Sequence, residues 1–230
     1  MVISGNPADA VAEDSHPKNG VGDVIRDDAA TSFRVGLAGT TGSTRSQAVI
    51  LVFQLPTLTS EQYINVASGN LNNLAFRFTG YTNAATDIGN LDVYGLGYRS
   101  ASTVLASDYF SGALDENATR IHDNAVAGSG VAANTTINSS PAASVALGMF
   151  IQQQYDNGAV GGDYVFFRLN YDGANTVNSA RGFNIVSADA TSNVPTLTLD
   201  VAVIPEPSSA ALLLGGAALA AGGLRRRRRG

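Results

Sequence analysis

The chain of 230 residues contains no cysteine. That excludes a disulfide scaffold, a thiolate metal site, a cysteine nucleophile and a lipid-modified cysteine. It says little about compartment, because a body of this size is stable without staples. Histidine is scarce as well, at two residues, and no nucleophile-elbow pattern occurs. A Ser-His-Asp triad therefore has little to be built from. Basic side chains are few outside one run: five of the 14 are Arg225–Arg229. Residues 1–204 keep nine against 18 acidic ones (all 19 but Glu206), a net of −9. Such a body repels nucleic acid, whose binders cluster Lys and Arg on a folded face. The first 20 residues lack the basic and then apolar stretches of a secretory signal. They do hold Ala10-Val11-Ala12, a small-x-small triplet of the cleavage-site kind, with too little chain before it. Either the native start lies upstream of Met1, or the triplet is a chance match in an alanine-rich chain.

What is present is an apolar supply of 44%, enough for a sizeable core. It is arranged with period two, which puts apolar side chains on one face of a strand. Phe33, Val35 and Leu37 alternate with Arg34 and Gly36; Leu74, Phe76 and Phe78 alternate with Ala75 and Arg77. Val165, Phe167, Leu169 and Tyr171 alternate with Phe166, Arg168 and Asn170, and Leu197–Val203 repeats the pattern. These predict antiparallel strands with one face buried and one wet. AVILVFQLP (48–56) is apolar almost throughout and predicts a central strand covered on both faces. Gly, Asn, Asp and Ser clusters between the runs supply turns. The one internal helix expected is 141–158, opened by Pro141 and closed by Gly158. Residues 1–20 lack alternation and read as a mobile arm. The fold class expected is all-β: a single antiparallel β-sandwich or jelly roll over 21–203 with one short helix, followed by a transmembrane helix in 204–230.

Candidate sites within the body are sparse. Tyr94, Tyr98 and Tyr109, with Tyr81, are candidates for an exposed aromatic set that binds sugar, although tyrosine also serves as half-buried core. Asp115-Glu116 is the carboxylate pair a hydrolase reading would use, and His122-Asp123 the acid–base pair. Asp156, Asn157, Asp163 and Asp172 lie in oxygen-rich loops that suit calcium. No EF-hand spacing accompanies them. The reading is no cofactor, with structural calcium as the alternative.

The most specific pattern is at the end. Ser208–Leu224 is 17 residues without a charge, roughly 25 Å as helix against a hydrocarbon core of about 30 Å. Pro205 and Pro207 bar helix upstream, and the arginines stand at the negative end of the helix dipole. The positive-inside rule puts Arg225, Arg226, Arg227, Arg228 and Arg229 in the cytoplasm and the body outside. Pro205-Glu206-Pro207, one apolar helix and a terminal arginine cluster together resemble the PEP-CTERM sorting signal, also catalogued as an ice-binding-protein C-terminal-type domain. The resemblance covers about 203–230; Ile204 stands where valine is commoner. It implies an exosortase as partner. That membrane protease or transpeptidase of Gram-negative-type bacteria is expected to recognise Pro205, Glu206 and Pro207, cut nearby, and pass the ectodomain to the outer surface. The inner membrane is then a transient, single-pass station.

The body is similar, by more degenerate motifs, to DNRLRE-type β-sandwich modules. Phe53-Gln54-Leu55-Pro56 matches their opening strand and Pro195-Thr196-Leu197 their closing one. Related modules include carbohydrate-binding families. The expectation is an exported, non-catalytic surface or matrix protein that binds polysaccharide; the alternative is a secreted carbohydrate-active hydrolase with loop carboxylates.

Overall fold

The structure is a computed structural model that describes residues 1–204 apart from 16–17, 27–29, 40–42, 68–70, 83–88, 111–114, 129 and 174–179. The sorting motif Pro205, Glu206 and Pro207, the apolar segment and Arg225–Arg229 lie outside the described residues. Among those described, no helix is long and apolar enough to cross a membrane.

The strands are β1 (Val2–Ser4), β2 (Ala10–Asp14), β3 (Val24–Arg26), β4 (Ser32–Ala38), β5 (Arg45–Gln54), β6 (Gln62–Ile64) and β7 (Asn73–Thr82). They continue with β8 (Asn90–Arg99), β9 (Thr119–Ala127), β10 (Thr135–Ile137), β11 (Tyr164–Tyr171), β12 (Arg181–Val186), β13 (Thr196–Thr198) and β14 (Val201–Val203). All pairings are antiparallel, along the path β1-β13-β7-β12-β4-β5-β11-β8-β9. Among the described residues the fold is all-β with one α-helix, α1 (Pro141–Asp156).

β5 organises the body. Ser46 faces both Leu37 of β4 and Asp14 of β2, so those two strands lie on opposite edges of β5. Ile50 faces both Arg168 of β11 and Ala10 of β2. β4 and β11 therefore share one edge of β5 at successive stretches, and β2 takes the other. The expected two-sided burial of this strand holds from Ser46 to Phe53.

β11 corrects the one-wet-face expectation: Phe166, Arg168 and Asn170 are buried along with Val165, Phe167 and Leu169. The cause is a second, smaller core behind the sheet, where Ala10, Ala12, Ile50, Val52, Val104, Tyr109 and Phe166 pack together. Residues 1–20 are likewise not a mobile arm. β1 pairs with β13, and β2 pairs with β5 and β3. All five residues of β2 are buried, and Ala10-Val11-Ala12 forms its first three positions. Alternation is missing there because the strand is covered on both faces, with Val11 in the main core and its alanines in the smaller one.

The helix forms where expected. Ser140 caps it, its hydroxyl accepting from the Ala143 N–H at 3.2 Å, and Pro141 opens the first turn. Beyond its last residue, Gly158 takes φ +103°. Its apolar side lies on the sheet: Phe150 meets Phe167 edge-on at 5.6 Å, above Gly95, where a Cβ would stand 2.5 Å from the ring. Gly148, within the helix, lets Asn72 approach in the same way.

Candidate functional site

The three tyrosines do not form a surface. Tyr94 is completely buried on β8, its ring 5.2 Å from the Arg168 guanidinium, and its hydroxyl is hydrogen-bonded to the Asp115 backbone. Burial, and then the nearby Asp92 charge, raise its pKa. Tyr109 is buried in the smaller core. Tyr98 is half-buried and donates to the Asn157 carbonyl at 3.1 Å. Tyr81 packs on Phe78 and Phe183, its hydroxyl accepting from the Val131 N–H. Aromatic spacing along a strand gives the face of a sheet, but here both faces of β8 are covered at Tyr94.

The acid pairs are also committed elsewhere. Asp115 is not solvated but buried, and its carboxylate accepts from Arg168 at 2.6 Å. Glu116 is exposed. His122 is half-buried, and burial lowers its pKa against the opposing charge of Asp123. Asp123 is exposed and pairs with Arg120 at 3.0 Å. Of the oxygen ligands weighed for calcium, Asp163 and Asp172 flank opposite ends of β11, about 30 Å apart at 3.3 Å per residue. Asp163 accepts from the Val160 N–H, Asp156 from the Gln152 amide, and Asp172 from the Asn90 backbone and side chain. Asp163 thus closes a turn, Asp156 is held within α1, and Asp172 ties β11 to the start of β8.

The structure assembles a different cluster, on β4, β5, β2 and β12. Arg34, Gly36 and Ala38 alternate on one face of β4, facing Asn184 of β12, Gln47 of β5 and Arg45 of β5 respectively. Gln47 in turn faces Glu13 of β2 and donates to its carboxylate at 2.9 Å. Arg26 of β3 grips the same carboxylate with two nitrogens, at 2.7 and 3.0 Å. Arg45 Nε stands 3.0 Å from it as an ion pair without an N–H aimed at the oxygen. Between these side chains lies a cavity of about 330 Å³, open to solvent.

One carboxylate answers two guanidinium groups and an amide. Glu13 is fully buried, and burial alone raises its pKa. Hydrogen bonds from Arg26 and Gln47, with the charges of Arg45 and Arg26, outweigh that and hold it below the usual glutamate value. A carboxyl depressed in the folded state stabilises fully above its unfolded pKa, near 4.5, and loses that contribution as pH falls through the folded value. Glu13→Gln is therefore expected to flatten the fall in melting temperature below pH 4.5, in a thermal-unfolding series against the wild type. An unchanged acid limb rejects the coupling.

Arg34 has no such partner. Its Nε is buried without a hydrogen bond, and it enters none of the ion pairs among the described residues. Burial, and then the like charge of Arg45, lower its pKa. Sequence reading placed Arg34 on the wet side of a strand and went no further. The signal available was a pair of arginines, Arg34 and Arg45, on the two strands either side of the β4–β5 connection in a body poor in basic residues. Their convergence depends on β2 and β12 arriving from far along the chain. No protein-family model matches this sequence, and no curated protein matches it.

Proposed function

We propose that the chain is an exported surface or extracellular-matrix protein whose last segment, 204–230, is a temporary anchor and sorting signal. One observation carries this reading: the order Pro205-Glu206-Pro207, then 17 uncharged residues, then Arg225–Arg229. The arginines stop translocation, the apolar helix 208–224 spans the inner membrane, and the prolines hold an extended segment at its outer face for an exosortase. The all-β body is a β-sandwich of jelly-roll type akin to DNRLRE modules, serving as a non-catalytic structural or adhesive unit that meets polysaccharide. In support, Asp115, the first carboxylate of the hydrolase alternative, is buried and paired with Arg168. The acidic net charge of residues 1–204 agrees with a role apart from nucleic acid.

Replacing Pro205-Glu206-Pro207 by three alanines tests the sorting. Full-length protein is expected to accumulate in the inner membrane of an exosortase-bearing host, with none reaching the surface. Surface delivery at the wild-type level overturns the reading.

A further inference from the structure

We infer that the cavity between β4, β5 and β12 is a binding site for a single oxyanion, the carboxylate of an acidic saccharide, with Arg34 as its principal contact. Three observations carry this. First, the described residues that line the cavity include Arg26, Arg34 and Arg45 and no carboxylate, and the nearby Glu13 is taken by Arg26, Arg45 and Gln47. Second, Arg34 is half-buried with an orphaned Nε among the described residues. Desolvating a guanidinium without a partner is costly, and a bound carboxylate, accepting in bidentate fashion, supplies the missing partner. Third, the other polar groups at the cavity are Ser32, Gln47 and Asn184, hydroxyl and amide groups suited to a hydroxylated ring around the charge.

The size of the cavity, about 330 Å³, is at the lower end for small-ligand sites, on the order of 300–1,000 Å³. The charge of the whole body narrows the class further. Residues 1–204 carry a net of −9, so a dense polyanion is repelled at long range while one carboxylate is drawn to the local positive site. A saccharide with widely spaced uronate residues fits both conditions. This site is independent of the sorting signal, so failure of either proposal leaves the other standing.

The test uses the purified full chain by isothermal titration. The probe is a tetrasaccharide alternating glucuronate with N-acetylglucosamine, and the neutral control is chitotetraose. The terminal arginines are common to every variant, so their contribution cancels in the comparison. Wild type is expected to bind the acidic probe, more weakly as salt rises, and to ignore the neutral one. Arg34→Ala is expected to lower affinity about tenfold or more, as loss of a charge-assisted bidentate contact does. Arg120→Ala, far from the cavity on β9, should leave it unchanged. Arg34→Ala should also melt at or above the wild-type temperature, since it removes an unpartnered charge, which separates lost binding from lost folding. Equal affinity of wild type and Arg34→Ala overturns the site, as does no binding by the wild type. Competition by inorganic sulfate as strong as by glucuronate overturns the saccharide assignment.

Discussion

Arg168→Met is expected to lower folding stability by about 3–5 kcal/mol, read from urea unfolding followed by far-UV circular dichroism. Arg168 lies in the middle of β11 with 2% of its side chain exposed, and its partner Asp115 shows 7%. One nitrogen meets the Asp115 carboxylate at 2.6 Å, and another donates to the Asp108 carbonyl at 3.1 Å. The guanidinium lies 5.2 Å from the rings of both Tyr94 and Phe110. Asp108 is itself buried and paired with Arg99, whose guanidinium sits 4.2 Å over Phe166. Methionine fills much of the volume but leaves a buried carboxylate without its countercharge, and that orphan, more than the lost attraction, sets the cost.

The companion experiment separates those two effects. Arg168→Met with Asp115→Leu removes both charges and keeps the space filled, so the double variant should recover much of the loss. A coupling energy of about 2 kcal/mol is expected from the cycle. Additive losses would show that the charges act independently of each other. The pair also bears on register. A one-residue slip of β11 would exchange Arg168 with Phe167, which packs between Phe53 and Phe150. An ion pair that is satisfied in one register and buried in aromatics in the next selects the first.

Much of this fold was legible in the sequence because the main core obeys simple periods. Phe33-Val35-Leu37, Leu74-Phe76-Phe78 and Val165-Phe167-Leu169 all face the same core. The helix followed from Pro141 and a terminal Gly158, and the structure adds the capping Ser140. The smaller core was not legible. It covers what would otherwise be the wet side of β11, using the alanines of β2, and alanine carries little hydrophobic signal. The pairing of Glu13 and Asp14 was not legible either: Arg26 and Gln47 hold Glu13, and the backbone of Asn19 and Gly20 holds Asp14. The same holds for Asp115, whose partner is 53 residues away. Local sequence shows that a charge exists, whereas the topology decides whether it is neutralised. The arginine cavity belongs to that second kind of information, as did the burial of Tyr94.

Gly182→Ala is expected to cost about 3 kcal/mol or more, combining backbone strain with a forced collision. Gly182 and Gly36 face each other across β12 and β4. Their φ angles are +156° and +113°, which turn the Cβ position of each toward the other strand. A Cβ on Gly182 would lie 2.0 Å from the Val35 carbonyl oxygen, and one on Gly36 would lie 2.6 Å from that of Arg181. These are backbone atoms within a paired ladder, so relief requires the strands to part. Gly162→Ala is the control: its φ is +102° with nothing within 4 Å of the added carbon. It should cost only the conformational part, about 1 kcal/mol. Chemical unfolding of both variants measures the steric share as the difference, and equal losses would reject the collision. Gly36→Ala combined with Gly182→Ala should cost less than the two separate losses, because strands parted for one methyl group already make room for the other. Asn184 and Arg34, which both line the cavity, face each other two positions along the same pairing, so strands parted at the glycines are also expected to alter the cavity's wall.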